Sequence, residues 1–176
     1  DALPILLYAF GERKQKYVIE KESVRGILID KEGRLLMLTS LKYGDYCLPG
    51  GTKEKGENDV DTLVREIREE TGYEVDISTL KEFGQGELWK TDDKRKNTDF
   101  HQINWYYFFQ GKPQWNQKLT DNEKSQGINV ILIYPQDAIV RNRELLPLGY
   151  HWIPRELAVL EQINGVLTTQ GELWKK

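Results

Sequence analysis

Apolar and polar residues alternate with a strand-like period over much of the first forty positions. Residues 3–10 and 17–22 read as strands around the polar turn Gly11-Glu12-Arg13-Lys14, which predicts an N-terminal β-hairpin extension over about residues 1–22. Residues 23–30 and 34–40 flank Lys31-Glu32-Gly33 and predict a second hairpin with glycine at its turn. Residues 41–52 carry Gly44, Pro49, Gly50 and Gly51 and read as a loop. The period then changes. Val60, Leu63, Val64 and Ile67 recur at i, i+3, i+4 and i+7, the stripe of an amphipathic helix. Asn58 suits an N-cap, Asp59 and Asp61 suit the first turn, and Gly72 suits a C-terminal stop, so the helix is predicted over 59–71. Strand character returns at 73–77 and 81–89. It is clearest at 100–110, with Ile103, Trp105, Tyr107 and Phe109 on one face and Tyr106 and Phe108 on the other. Residues 91–97 and 111–127 read as polar loops, 128–134 as a strand and 135–140 as a short helix opened by Pro135. Residues 152–163 predict a second long helix, and 165–176 show no assignable period. The sum is an α+β fold, a mixed sheet with one acidic helix and one C-terminal helix.

Composition narrows the classes. The chain has 176 residues, 39% hydrophobic and 30% charged. That is a one-domain length, and a globular chain of this size buries roughly 70% of its unfolded surface. No apolar run approaches the roughly 18–20 residues of a membrane span. The run at 3–10 has no basic residue before it, so it lacks the charged start of a signal peptide. A net charge of −3 argues against bulk binding to DNA or an anionic membrane, yet leaves room for a small phosphate ligand in a local site. The lone Cys47 forms no internal disulfide, and a reducing cytoplasm is the simplest setting. It reads as a small hydrophobe at a strand end. His101 and His151 lack zinc-ligand spacing, and with a single cysteine they give little support to a Cys–His nucleophile.

The acidic helix is the anomaly. Glu66, Glu69 and Glu70 stand at i, i+3 and i+4, so all three project from one face. Like charges at that spacing cost a few tenths of a kcal/mol each. A bare helix of this kind is ordinarily a solvated face, here with Arg65 and Arg68 as local partners. Glu57 lies just before it, Arg65 is placed to pair with Glu69, and Gly50 and Gly51 can bring backbone close to a ligand. Several carboxylates converging on one spot suit Mg²⁺, which takes carboxylates and waters and shares substrate phosphate oxygens.

The wider pattern carries a resemblance. Gly51, five residues, Glu57, seven residues, then Arg65-Glu66-Ile67-Arg68-Glu69-Glu70-Thr71-Gly72-Tyr73 resembles the signature of the Nudix hydrolases. Every fixed position matches, with Tyr73 where an aliphatic residue is commoner. The motif covers 23 of 176 residues, and Leu48-Pro49-Gly50-Gly51 resembles the family's lead-in. The resemblance implies a Nudix-type α/β/α sandwich with a mixed sheet, and a single domain over 1–176. It implies a metal-dependent pyrophosphohydrolase that cleaves a nucleoside diphosphate linked to another moiety X. Glu66, Glu69 and Glu70 would be catalytic metal ligands for Mg²⁺ (or Mn²⁺), with Glu57 as a further or outer ligand and the Gly51 carbonyl completing the shell. Arg65 would position Glu69. The general base would be a box glutamate or a carboxylate from the loop around Asp121 and Glu123, with Glu123 as the candidate. Arg25, Tyr46 and Gly50 would meet substrate.

Marks of substrate class are scarce. No proline lies between Pro49 and Pro113, so the proline that often marks ADP-ribose enzymes of the family is missing. Trp89-Lys90-Thr91 stands where a tyrosine marks many dinucleoside-polyphosphate enzymes. The longer motifs associated with NADH and coenzyme A are also missing. Tyr43, Trp89 and Trp105 are better read as core than as base-stacking platforms. Lys94-Arg95-Lys96, flanked by Asp92 and Asp93, reads as a solvated loop. Three alternatives stand beside the nucleotide or nucleotide-sugar hydrolase: a (deoxy)nucleoside triphosphate house-cleaning enzyme, a Nudix-like nucleotide sensor without catalysis, and an interaction domain with an acidic helix. The N-terminal hairpin also offers strands for a homodimer.

Overall fold

The computed structural model describes residues 4–169. Leu3, expected to open the first strand, and residues 170–176 of the tail lie outside the described residues. The chain runs β1 (Leu6–Phe10), β2 (Tyr17–Ile27), β3 (Leu35–Ser40), β4 (Tyr46–Cys47), β5 (Gly50–Thr52), α1 (Asp59–Thr71), β6 (Tyr73–Thr91), β7 (Thr98–Pro113), α2 (Asp121–Gln126), β8 (Ile128–Ile133), α3 (Pro135–Leu145), a 3-10 turn at Leu146–Leu148 and α4 (Ile153–Thr169). One sheet has the order β1-β6-β7-β2-β5 and the other β4-β3-β8.

The expected N-terminal hairpin is not formed. β1 pairs parallel with β6, and β2 pairs parallel with β7. The connector explains the separation. The backbone N–H groups of Lys14 and Gln15 both donate to the Asp99 carboxylate, at 2.5 and 2.8 Å, and tie the chain to β7 before β2 begins. The basis offered for a homodimer, a free hairpin, therefore falls away. The second hairpin forms only at its root. Asp30 and Arg34 close the turn, Ile29 bridges Leu35, and the strands then part into different sheets.

α1 begins and ends where its caps predict. The Asn58 side chain accepts from the Asp61 N–H, the Asp61 carboxylate accepts from the Asn58 N–H, and Gly72 stops the helix at φ 75°. Leu63 and Ile67 pack fully buried against Val24, Val75 and Phe109. Burying such a side chain stabilises by about 1.5–3 kcal/mol. The opposite face of the sheet carries Tyr8, Ile27 and Tyr106 and packs on Ala138 and Ile139 of α3 and on Ile153, Leu157 and Leu160 of α4. β7 serves both layers by its period of two: Trp105, Tyr107 and Phe109 face α1, while Tyr106 and Phe108 face α3 and α4. The result is an α+β sandwich of helix, mixed sheet and helix.

Three boundaries differ from expectation. Strand segments 73–77 and 81–89 are one strand with a register break between Asp76 and Lys81. α3 continues to Leu145 because Leu145 is core and buried Asn142 clamps the backbone N–H and carbonyl of Tyr46. α4 runs past Gly165 to Thr169 rather than ending near 163. The polar stretch 111–127 also contains α2, whose Thr120 and Glu123 form a capping box.

Candidate active site

Local physics places the box. β5 pairs antiparallel with β2, so Arg25 stands opposite Gly50 and Val24 opposite Gly51. Gly50 has φ 147°, a conformation that side-chain-bearing residues rarely adopt, and a Cβ there would overlap the Val24 carbonyl and Arg25. Its N–H donates to Glu70 Oε2 at 2.9 Å. A Cβ at Gly51 would overlap the Glu66 carboxylate. The two glycines therefore let a strand backbone lie directly against the acidic face of α1.

Glu70 is buried, 8% exposed. Burial pushes its carboxyl well above the usual carboxylate range, with the Gly50 N–H opposing and Glu66 and Glu123 adding to the rise. Burial likewise raises Glu66, against the pull of Arg65. Arg65 was expected to hold Glu69. Its main partner is instead Glu57, gripped through Nε at 2.7 Å and Nη2 at 2.9 Å. Nη1 reaches Glu66 at 2.9 Å and Glu69 only at 3.5 Å, while Nη2 also donates to the Thr52 carbonyl at 3.1 Å. One guanidinium thus ties the loop before α1, the helix and β5 together. Its charge and hydrogen bonds hold the Glu57 carboxyl down at about 2. Glu57 also accepts from the Glu54 N–H and the Thr62 hydroxyl, so its lone pairs are engaged within the protein.

Among the described residues, no three His, Cys, Asp or Glu side chains already stand in the close array of a metal site. Arg65 draws Glu57, Glu66 and Glu69 toward itself, while Glu70 turns to Gly50. The donor set nonetheless fits a divalent cation. It is all oxygen, two members are raised by burial and mutual repulsion, and Glu70 has one hydrogen-bond donor for a buried carboxylate. Glu66, Glu69 and Glu70 are the residues that could hold it.

The other predicted residues divide. Glu123 comes from α2 rather than from an open loop. Its Oε1 accepts from the Thr120 N–H at 2.9 Å, and its charge is felt by both Glu66 and Glu70. Arg25 donates from Nε to Asn104 Oδ1 at 3.1 Å, and its charge is felt by Glu70. Tyr46 does not join them: it packs against the α3–α4 core with its backbone held by Asn142. Trp105 packs in the α1 layer, and Trp89 stacks on His101 at 3.8 Å. Cys47 is a strand-end thiol that burial pushes up.

Two residues of α4 escaped the sequence reading. Glu156 is 1% exposed, and its Oε2 accepts from the Leu48 N–H at 3.1 Å, anchoring the lead-in to Gly50 and Gly51. Arg155 pairs with Glu156 Oε1 at 3.2 Å. The signal was present: Glu156 interrupts the apolar stripe Ile153, Leu157, Leu160, a charge at a core position.

Residues 20–155 match the family model of the NUDIX domain. The chain belongs to the NUDIX family. A "MutT-like protein" of Streptomyces ambofaciens is 38% identical over 58 residues, 33% of this chain and 38% of that protein. An "ADP-ribose pyrophosphatase" of Methanocaldococcus jannaschii is 30% identical over 89 residues, 42% of this chain and 53% of that protein. The chain thus spans about two fifths to one half of the curated relatives it matches. Among solved structures, one from a study of MutT from Aliivibrio salmonicida and Vibrio cholerae overlays with a TM-score of 0.48 at 17% identity, covering 80% of this chain and 98% of that one. The E. coli ORF135 protein overlays at 0.48 with 20% identity, covering 88% and 94%. Among the described residues, no helix is long and apolar enough to cross a membrane.

Proposed function

We propose that the protein is a metal-dependent pyrophosphohydrolase acting on a small nucleotide, a nucleoside diphosphate joined to a moiety X. The observation that carries this reading is the buried carboxylate of Glu70, fixed by the Gly50 N–H beside Glu66 on a helix face that has no packing use for acid. Water attacks one phosphorus, the anhydride P–O bond breaks, and the products are a nucleoside monophosphate and a phosphorylated X. A bound Mg²⁺ or Mn²⁺ supplies charge neutralisation of the pyrophosphate and a more acidic water. The chain's own residues do the positioning on which such transfers depend. Gly50 orients Glu70. Arg65 locks Glu57 to the loop and sets Glu66. Arg25 faces substrate from the strand beside Gly50. Glu123 supplies the carboxylate from outside α1 that takes the proton of the attacking water. A lone thiol suits a reducing, cytoplasmic setting.

The test is product release from nucleoside triphosphates, ADP-ribose, nucleotide sugars and dinucleoside polyphosphates, with and without Mg²⁺ or Mn²⁺. Monophosphate release should require metal. It should fall more than about 100-fold in Glu70→Gln, because groups that merely orient a metal ligand already cost 10–100-fold. The variant should melt no lower than wild type, since a buried repelling charge is gone. Silence across the panel from folded, metal-supplied protein would overturn the reading.

A further inference from the structure

A second charged region lies on the sheet face opposite α1. The register β1-β6-β7-β2 places Phe10, Leu88, Gln102 and Lys21 in one row across four strands. With Arg25, Lys90, Phe100, His151 and Arg155 they line a cavity of about 200 Å³ beneath the start of α4. Four cations converge there, and among the described residues no carboxylate lines it. Lys21 Nζ and Lys90 Nζ both stand over the Phe100 ring, 5.9 and 5.3 Å from its centroid. Among the described residues, neither lysine nor Arg25 makes an ion pair. Among the described residues, Arg155 has one such partner, Glu156, and its buried Nε has no hydrogen-bond acceptor. A buried, unpaired donor of this kind costs about 1–3 kcal/mol unless something accepts from it.

Burial and the neighbouring Arg25, Arg155 and Lys90 together hold the Lys21 ammonium below its usual range. Burial, Lys90 and Arg155 lower His151 and so favour its neutral ring. One residue links the cavity to the box. Arg25 lines it and is the register partner of Gly50, whose N–H holds Glu70.

We propose that this cavity is an anion subsite that takes a phosphoryl group of the substrate other than the two joined by the scissile bond. The inference rests on the pyrophosphohydrolase reading above and narrows it. The preferred substrate is then a nucleoside triphosphate, or a nucleoside diphosphate joined to a phosphorylated X, over one joined to a neutral sugar. The chemistry that decides this is Lys21, Lys90 and Arg155 around one small volume, a lining that would leave a neutral sugar facing two ammonium groups without ion-pair partners among the described residues.

Two measurements test it. In the first, inorganic tripolyphosphate is titrated calorimetrically into the full chain without divalent ion. The Lys21→Gln/Lys90→Gln variant should bind roughly tenfold more weakly or worse, the loss expected of charge-assisted contacts. Glu70→Gln should bind at least as tightly as wild type. In the second, the ratio of kcat/KM for ATP over ADP-glucose is compared between wild type and the double variant, and it should drop by about tenfold. Equal tripolyphosphate affinity in wild type and double variant, or an unchanged ratio, overturns the subsite. Should no nucleotide be cleaved at all, the hydrolase reading falls alone and the titration still decides the subsite. Lys90→Gln, at an exposed position, repeats both tests if the double variant misfolds.

Discussion

The acids of α1 and the cations under α4 are assembled in opposite ways. Glu57, Glu66, Glu69 and Glu70 come from a stretch of fourteen residues, and a single arginine of the same stretch draws in the first three. Lys21, Lys90 and Arg155 come from β2, β6 and α4 and meet only because β7 pairs parallel with β2 and antiparallel with β6, while α4 begins above that face. The acids have neighbours engaged on their behalf: Arg65 for Glu57 and Glu66, the Gly50 N–H for Glu70. Lys21, Arg25 and Lys90 have no carboxylate partner among the described residues. Charge held locally is charge the protein positions; charge left unpaired across a tertiary cavity is charge kept for a ligand.

Glu156 tests the link between the two regions most severely. It neutralises Arg155 on one side and holds the Leu48 N–H of the box lead-in on the other. Glu156→Ala should destabilise by about 3–5 kcal/mol, as breaking a buried ion pair does. Urea unfolding checks this, and combining Glu156→Gln with Arg155→Met should recover much of the loss. A single variant as stable as wild type would mean that α4 does not hold the lead-in.

A smaller effect is expected within the acidic region. Arg65→Lys keeps the charge but cannot make the fork that spans Glu57, Glu66 and the Thr52 carbonyl. Turnover should fall about 10–100-fold with the fold intact, the usual cost of losing a group that orients ligands. Wild-type kcat in this variant would show that positive charge alone suffices.

The smallest effect is on the pH dependence of stability. Arg65 and its hydrogen bonds depress the Glu57 carboxyl from 4.5 to about 2 in the folded protein. A depressed carboxyl stabilises the fold above its unfolded value, and that contribution is lost as pH falls from 4.5 toward 2. Glu57→Gln should therefore lose stability less steeply than wild type across that window. Parallel slopes in acid melts of the two proteins would argue that the Arg65–Glu57 grip is weak in solution.

Much of the acidic region could be read in the chain because its information is short-range. Asn58, Asp61 and Gly72 fix the ends of α1 through hydrogen bonds three to four residues long, and helical period sets Glu66, Glu69 and Glu70 on one face. Even Thr120 and Glu123, read as loop, spell a capping box three residues apart. The N-terminal strands failed for the converse reason. A polar turn between two apolar runs favours a hairpin locally, but Asp99, more than eighty residues away, captures the connector.

The sequence by itself determined α1, its caps, its carboxylates and the glycines that admit them, since all depend on backbone and side-chain geometry within one or two helical turns. Only the tertiary structure decided that Glu156 reaches back from α4 to the lead-in and that Lys21, Lys90 and Arg155 face one another. Those contacts depend on strand order, register and helix packing, which no local pattern encodes, because they join residues tens of positions apart through connections whose direction is set elsewhere in the fold.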